Sequence, residues 1–164
     1  MSALGLAALS VAQADLAAGV RGGQPGRFES PEVAARLAAV NVDYPAPWCA
    51  AEVAHCFEVA AFQADIANPC PRTASAVHLF ERALAAWRRA IPAPGDVFVV
   101  LHADGIHGHC GIVESVSPDG RTITSVEGDT DAAGSSTGDA MGRHTWTPAD
   151  GARGLLLGYL ELGA

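Results

Sequence analysis

The sequence predicts an α+β fold, with helices from its first half packed on an antiparallel sheet built from its second half. Three observations carry that expectation. Up to about residue 90 the apolar residues recur at helical spacing behind serine and proline start signals. Beyond residue 96 the chain turns to short β-rich runs joined by hairpin-length turns. Helical and strand segments do not alternate, which sets aside a parallel α/β sheet. With 164 residues, 49% of them apolar, the chain can bury one core, and it is read as a single domain spanning 1–164.

Each element has its own signal. "MSALGLAALSVAQAD" reads as the domain's first helix, with Leu4, Ala8, Val11 and Asp15 on neighbouring turns and a stop at Gly22-Gly23. Ala12-Gln13-Ala14 has the form of a signal-peptidase site, but no Lys or Arg precedes the apolar stretch, so no ordinary export signal is expected. Ser30-Pro31-Glu32 starts a second helix, to about Val40, by N-cap, N1 proline and first-turn acid. A third helix runs from Trp48 to about Phe62. Prolines on both sides of Cys70 break it from a fourth, capped by Thr73 and running to about Arg89 with Val77, Phe80, Leu84 and Trp87 as its apolar stripe. After the turn "PAPGD" come strands at "VFVVLH", "HCGIVESV", "RTITSV", "GRHTW" and "GLLLGYLEL", with a turn at "SPDG" and a Gly/Ser/Asp-rich loop over roughly 128–140.

Composition removes several function classes. All ten basic residues are arginine and the formal charge is −8, which lacks the basic face that nucleic-acid binding requires. No apolar run approaches the roughly 20 residues of a membrane span, so no membrane anchor is expected. Cys49, Cys56, Cys70 and Cys110 form no CxxC pair, so a zinc ribbon is absent. Cys56 and Cys70 are the pair most readily joined as a disulfide, and the sequence assigns none.

"YPAPWCAAEVAHC" carries the chemistry. Cys49 begins a helix, where unpaired amides and the helix dipole favour thiolate. It also shares an inward face with Val53, Cys56 and Ala60, so an inert buried cysteine is the alternative. A nucleophilic thiol needs a base, and the base needs an orienting partner. His109 begins the strand "HCGIVESV", while His107 lies in a glycine-flanked turn before it. Glu127 ends the next strand. A hairpin turning at "SPDG" brings His109 and Glu127 to one edge of the sheet.

In this order, "PWCAAEVAHC", "PRTAS", "PGDVFVV", "GHCGIV" and "SVEGDT" resemble the landmarks of the CHAP family, the cysteine, histidine-dependent amidohydrolases/peptidases. The resemblance spans roughly residues 3–161. It implies a papain-like fold, shared with NlpC-type cell-wall peptidases. Cys49 is then the nucleophile, His109 the general base and Glu127 the residue that orients the imidazole. Asp129 falls where many relatives carry asparagine. Trp48 would wall the cleft beside the thiol. Glu52 stands where relatives usually have an apolar residue, either as a first-turn acid on the helix dipole or as a substrate contact. Cys110 also replaces an apolar residue and is read as core. Some calcium-dependent relatives carry an acidic loop before the nucleophile; "NVDYPAPW" has only Asp43, so no calcium is expected.

A metal is the competing reading of "HGHC": His107, His109 and Cys110, with Glu127 or His102 as a fourth ligand. Residues 109 and 110 of one strand point to opposite faces, and no metal or other cofactor is expected. His55 faces away from the Cys49 stripe, His102 follows a strand, and His78 and His144 read as surface or semi-buried. The resemblance implies a thiol peptidoglycan hydrolase, amidase or endopeptidase, acting as a monomer. Such an enzyme, made in the cytoplasm, would act on the wall in the periplasm or outside the cell. A phage-type endolysin or an injected antibacterial effector, the latter with an immunity protein in its producer, are the expected settings. Hydrolysis of a small non-wall amide and a degenerate wall-binding module are the alternatives.

Overall fold

In this computed structural model all residues are described except 25, 132, 133, 135–137 and 164. Four helices come first, α1 (Ala3–Ala18), α2 (Pro31–Ala39), α3 (Cys49–Gln63) and α4 (Ala76–Arg82). Six strands follow, β1 (Arg88–Arg89), β2 (Val97–Leu101), β3 (Gly108–Val116), β4 (Ile123–Thr130), β5 (Ala140–Trp146) and β6 (Leu155–Leu160). They form one sheet in the order β1-β6-β2-β3-β4-β5, and every pairing is antiparallel. The class is therefore α+β, consistent with a papain-like fold. No helix among the described residues is long and apolar enough to cross a membrane.

Local chemistry sets the helix ends. Ser2, Ser30 and Ser75 each accept a hydrogen bond from a first-turn amide of α1, α2 and α4. The first helix stops at Gly19 rather than at the Gly22-Gly23 pair, because Gly19 takes the left-handed conformation (φ 72°) and returns its N–H to Leu16. The fourth helix differs more from expectation. Its cap is Ser75, not Thr73, and it ends at Arg82 instead of running to Arg89. The Arg88 side chain donates to the carbonyls of Phe80, Glu81 and Ala83, closing that end, and Arg88 and Arg89 go on to pair with β6. The buried face is consequently Ala76, Leu79 and Ala83, while Leu84 is exposed.

Most of the core lies between the helices and one face of the sheet. Buried α3 residues Ala50, Val53, Phe57 and Ala60 meet Val97, Val99, Cys110, Ile112 and Val126 there. On the opposite face Phe98, Val100, Val113, Ile123 and Tyr159 form a smaller cluster with Trp146 and Leu156. That explains why all of Val97–Val100 is buried: the strand is covered on both sides. The first helix belongs to this architecture. Gly5 and Gly95 lie in backbone contact, so close that a Cβ on either would come within 2.6 Å of the other, and Ser2 bonds the Leu162 carbonyl.

Candidate active site

The start of α3 sits directly on β4. Pro45 and Pro47 keep the chain out of the helix until Trp48, which is fully buried and supplies no side-chain cap. Gly128 makes the close approach possible. A Cβ there would come 2.7 Å from the Trp48 ring and 2.9 Å from the Glu52 side chain. Cys49 is thereby held at the first helical position, 3% exposed, beside Cys110 and His109. Interaction with Cys110 and with the His109 charge outweighs burial and brings the Cys49 pKa well below that of an ordinary thiol.

His109 lies near the start of β3, opposite Val100, with its ring 6.0 Å from that of Phe98. Its Nε2 faces Glu127 Oε2 at 2.9 Å. Its Nδ1 is buried and has no hydrogen-bond partner, so that nitrogen is unengaged beside the thiol. Burial alone would lower the imidazole's pKa. Cys49 and the bonded Glu127 carboxylate push it up to about 9 instead. For Glu127 burial acts upward, but His109 and then Arg153 bring it down to about 2. These shifts favour the thiolate, imidazolium and carboxylate forms.

Asp129 is fully buried, with both carboxyl oxygens lacking a side-chain partner. It lies within the register shift of the β4–β5 pairing, between Glu127 and Thr130, and takes a left-handed conformation (φ 61°), which turns it toward the start of α3. Burial and the neighbouring Cys49 thiolate push its pKa up to about 8, so at neutral pH it is mostly the uncharged acid. Glu52 faces the other way. It is 2% exposed and pairs with Arg36 Nε at 2.5 Å, while the Cys56 thiol donates to its Oε1 at 3.4 Å. That buried position among α1, α2 and α3 makes it part of the helix packing and removes the substrate-contact reading. Cys110 fills core space as expected, and it also reaches the Cys49 sulfur, a contact that strict strand alternation does not foresee.

His107 does not join this group; it is exposed and paired with Asp104 at 2.6 Å. Among the described residues the one grouping close enough to share a metal ion is Asp15, Glu52 and Cys56. Its carboxylates already hold Arg36, at 2.7 Å for Asp15, so this donor set does not fit a cation. All four cysteines are free; Cys56 bonds Glu52 rather than Cys70.

Two residues of the site have no counterpart in the sequence reading. Arg153, from the segment between β5 and β6, donates to Glu127 Oε1 at 2.7 Å and to Oε2 at 2.6 Å. Ser125, two residues before Glu127 on the same face of β4, donates to Oε1 at 2.5 Å. The period-2 spacing of Ser125 and Glu127 was a usable signal for the serine. Nothing local marks Arg153, which lies 26 positions from its partner in a Gly-Ala-Arg-Gly turn.

Comparison with known proteins agrees with this geometry. A search of curated proteins and a search of solved structures each returned no match. The family model described as "CHAP domain" matches residues 40–129, more than half of the chain, from the loop before Cys49 through Asp129. The cysteine at a helix start and the histidine at a strand start both lie inside that match, and the chain belongs to the CHAP domain family.

Proposed function

We propose that this protein is a cysteine hydrolase that cleaves an amide bond of the peptidoglycan peptide through an acyl-enzyme on Cys49. At the level of the family, CHAP membership implies peptidoglycan amidase or peptidase activity. The observation that supports the specific reading is the buried grouping of Cys49, His109 and Glu127 on three different elements, with Glu127 bonded to His109 Nε2, Nδ1 left unengaged, and neighbouring groups that lower the thiol's pKa and raise the imidazole's.

The chemistry follows from the positions. The Cys49 thiolate attacks the carbonyl carbon and forms a C–S bond, and the carbonyl oxygen becomes an oxyanion. Since α3 lacks a side-chain cap, its first amides are free to donate to that oxyanion. The C–N bond then breaks as His109 gives its Nδ1 proton to the leaving amine. Water, deprotonated at the same nitrogen, attacks the thioester and releases the acid and the thiolate. Glu127 holds Nε2–H throughout, which keeps Nδ1 as the working nitrogen. Trp48 fixes the first turn of α3 beneath the thiol. Delivery to the wall as a phage-type lysin or as an injected antibacterial effector is part of the same proposal.

Digestion of purified Gram-negative sacculi by wild type and by Cys49→Ala, with mass spectrometry of the released fragments, tests it. Soluble fragments from wild type alone are expected, and their new ends distinguish amidase from endopeptidase. Release by neither protein would turn the assignment to small amides or to wall binding without hydrolysis. Equal release by both would remove Cys49 from the mechanism.

A further inference from the structure

We infer that Arg153 is a positioning residue of this site: its bidentate hold on Glu127 locks the carboxylate against His109 and tempers how tightly the imidazole keeps its proton. The inference rests on the proposed Cys49–His109 chemistry. Four observations carry it. The first is saturation. A carboxylate offers about four lone-pair positions, and Glu127 has all of them filled: Ser125 Oγ and Arg153 Nη1 on Oε1, His109 Nε2 and Arg153 Nη2 on Oε2. The carboxylate cannot rotate without breaking the guanidinium fork.

The second is that Arg153 is itself fixed. Its guanidinium lies over the Trp146 ring, 5.0 Å from the centroid, and the Trp146 indole N–H donates to Ser125 Oγ at 3.0 Å. Trp146, Ser125, Glu127 and Arg153 thus form a closed circuit on the sheet face opposite the helices. The third is anchoring of the backbone beside it. Gly154 adopts φ 118° and packs so closely on the end of β2 that a Cβ would come 2.6 Å from the Leu101 carbonyl oxygen. That contact sets where Arg153 begins.

The fourth is charge. The groups facing His109 are Cys49 from α3, Glu127 and Asp129 from β4, and, farther off, His102 after β2 and His144 on β5. With Asp129 in its acid form, the thiolate, imidazolium, carboxylate and guanidinium sum to zero. Without Arg153 the buried site carries a net negative charge. An extra negative charge beside a cation and an anion stabilises the imidazolium and destabilises the thiolate. His109 would hold its proton too firmly to pass it to a leaving amine.

The test compares wild type, Arg153→Met and Arg153→Lys. Two profiles are measured against pH: iodoacetamide alkylation of Cys49, read at that residue by mass spectrometry, and the His109 imidazole resonance. Both transitions are expected to move up by roughly one to two pH units in Arg153→Met, the order of size for one charge lost within about 5–10 Å at an effective dielectric of about 20. Sacculus solubilisation should fall at least tenfold (~1.4 kcal/mol). Arg153→Lys keeps the charge and should leave both transitions at the wild-type pH while recovering part of the rate. Should Arg153→Met fail to fold, Arg153→Gln removes the charge while keeping donors, and the same upward shift is expected. Profiles of a folded uncharged variant that superimpose on wild type, or that move down, overturn the role of Arg153 alone. Wild-type Cys49 alkylating like an ordinary thiol overturns this inference together with the catalytic reading beneath it.

Discussion

The molecule buries two glutamates beside arginines, and it treats them oppositely. Glu127, under the sheet, is met by both arms of Arg153, by Ser125 and by His109, and its pKa falls to about 2. Glu52, among the helices, shares Arg36 with Asp15 and otherwise has only the Cys56 thiol, and burial drives its pKa up to about 7. An arginine neighbour by itself does not keep a buried acid ionised. What decides is how many lone pairs are satisfied, because each unmet one leaves desolvation uncompensated. The saturated pair orients an imidazole. The undersaturated one ties three helices together.

Neutralising each glutamate in turn separates the two regions most sharply. Glu127→Gln should lower sacculus hydrolysis by about a hundredfold or more, since the imidazole loses the acceptor that fixes its tautomer. Glu52→Gln should leave the rate within about twofold of wild type while changing stability by roughly 1–2 kcal/mol. Equal activity losses in the two variants would erase the distinction between a catalytic and a packing carboxylate.

Stability against pH gives the next largest contrast. The folded-state pKa of Glu127 lies below its ordinary 4.5, so its contribution is present above pH 4.5 and is lost as pH falls toward 2. That of Glu52 lies above 4.5, so its contribution is present below pH 4.5 and is lost as pH rises through about 7. Glu52→Gln should therefore gain on wild type in melting temperature between pH 5 and 8, by a few degrees. A constant difference across that range would mean that Glu52 is ionised in the folded protein throughout.

Asp129 extends the comparison to a third buried acid, one with no arginine at all. Its pKa of about 8 places a new negative charge beside the thiolate only at alkaline pH. Asp129→Asn should thus match wild type near pH 7 and exceed it by about two- to fivefold above pH 8.5, as the like-charge penalty on the thiolate disappears. Loss of activity at every pH in this variant would instead give the acid form itself a part in the reaction. The smallest effect concerns the thiols. With Cys56 bonded to Glu52 and no disulfide formed, dithiothreitol should shift the melting temperature by less than about 1 °C.

Much of this was legible in the chain. The Ser30 cap and N1 proline of α2 and the switch from helical to alternating periodicity announced the α+β order, because these are local signals. The fourth helix escaped because Arg88 closes it from six residues beyond its end, a side-chain contact that periodicity does not encode. Cys49, His109 and Glu127 were proposed together from a helix start, a hairpin register and the family resemblance, and the structure places His109 and Glu127 2.9 Å apart.

Which charges those residues carry was decided only in three dimensions. The Cys110 contact with the thiol, the bulge that turns Asp129 inward and the Arg153 fork on Glu127 each join segments far apart in sequence. Protonation in a buried site depends on every dipole and charge within a few ångströms, and that neighbourhood is a property of the packed fold. The sequence by itself determined the order of helices before strands and the residue types brought to one edge of the sheet. Only the tertiary structure decided which buried acid is ionised, because only packing fixes how many hydrogen bonds each one receives.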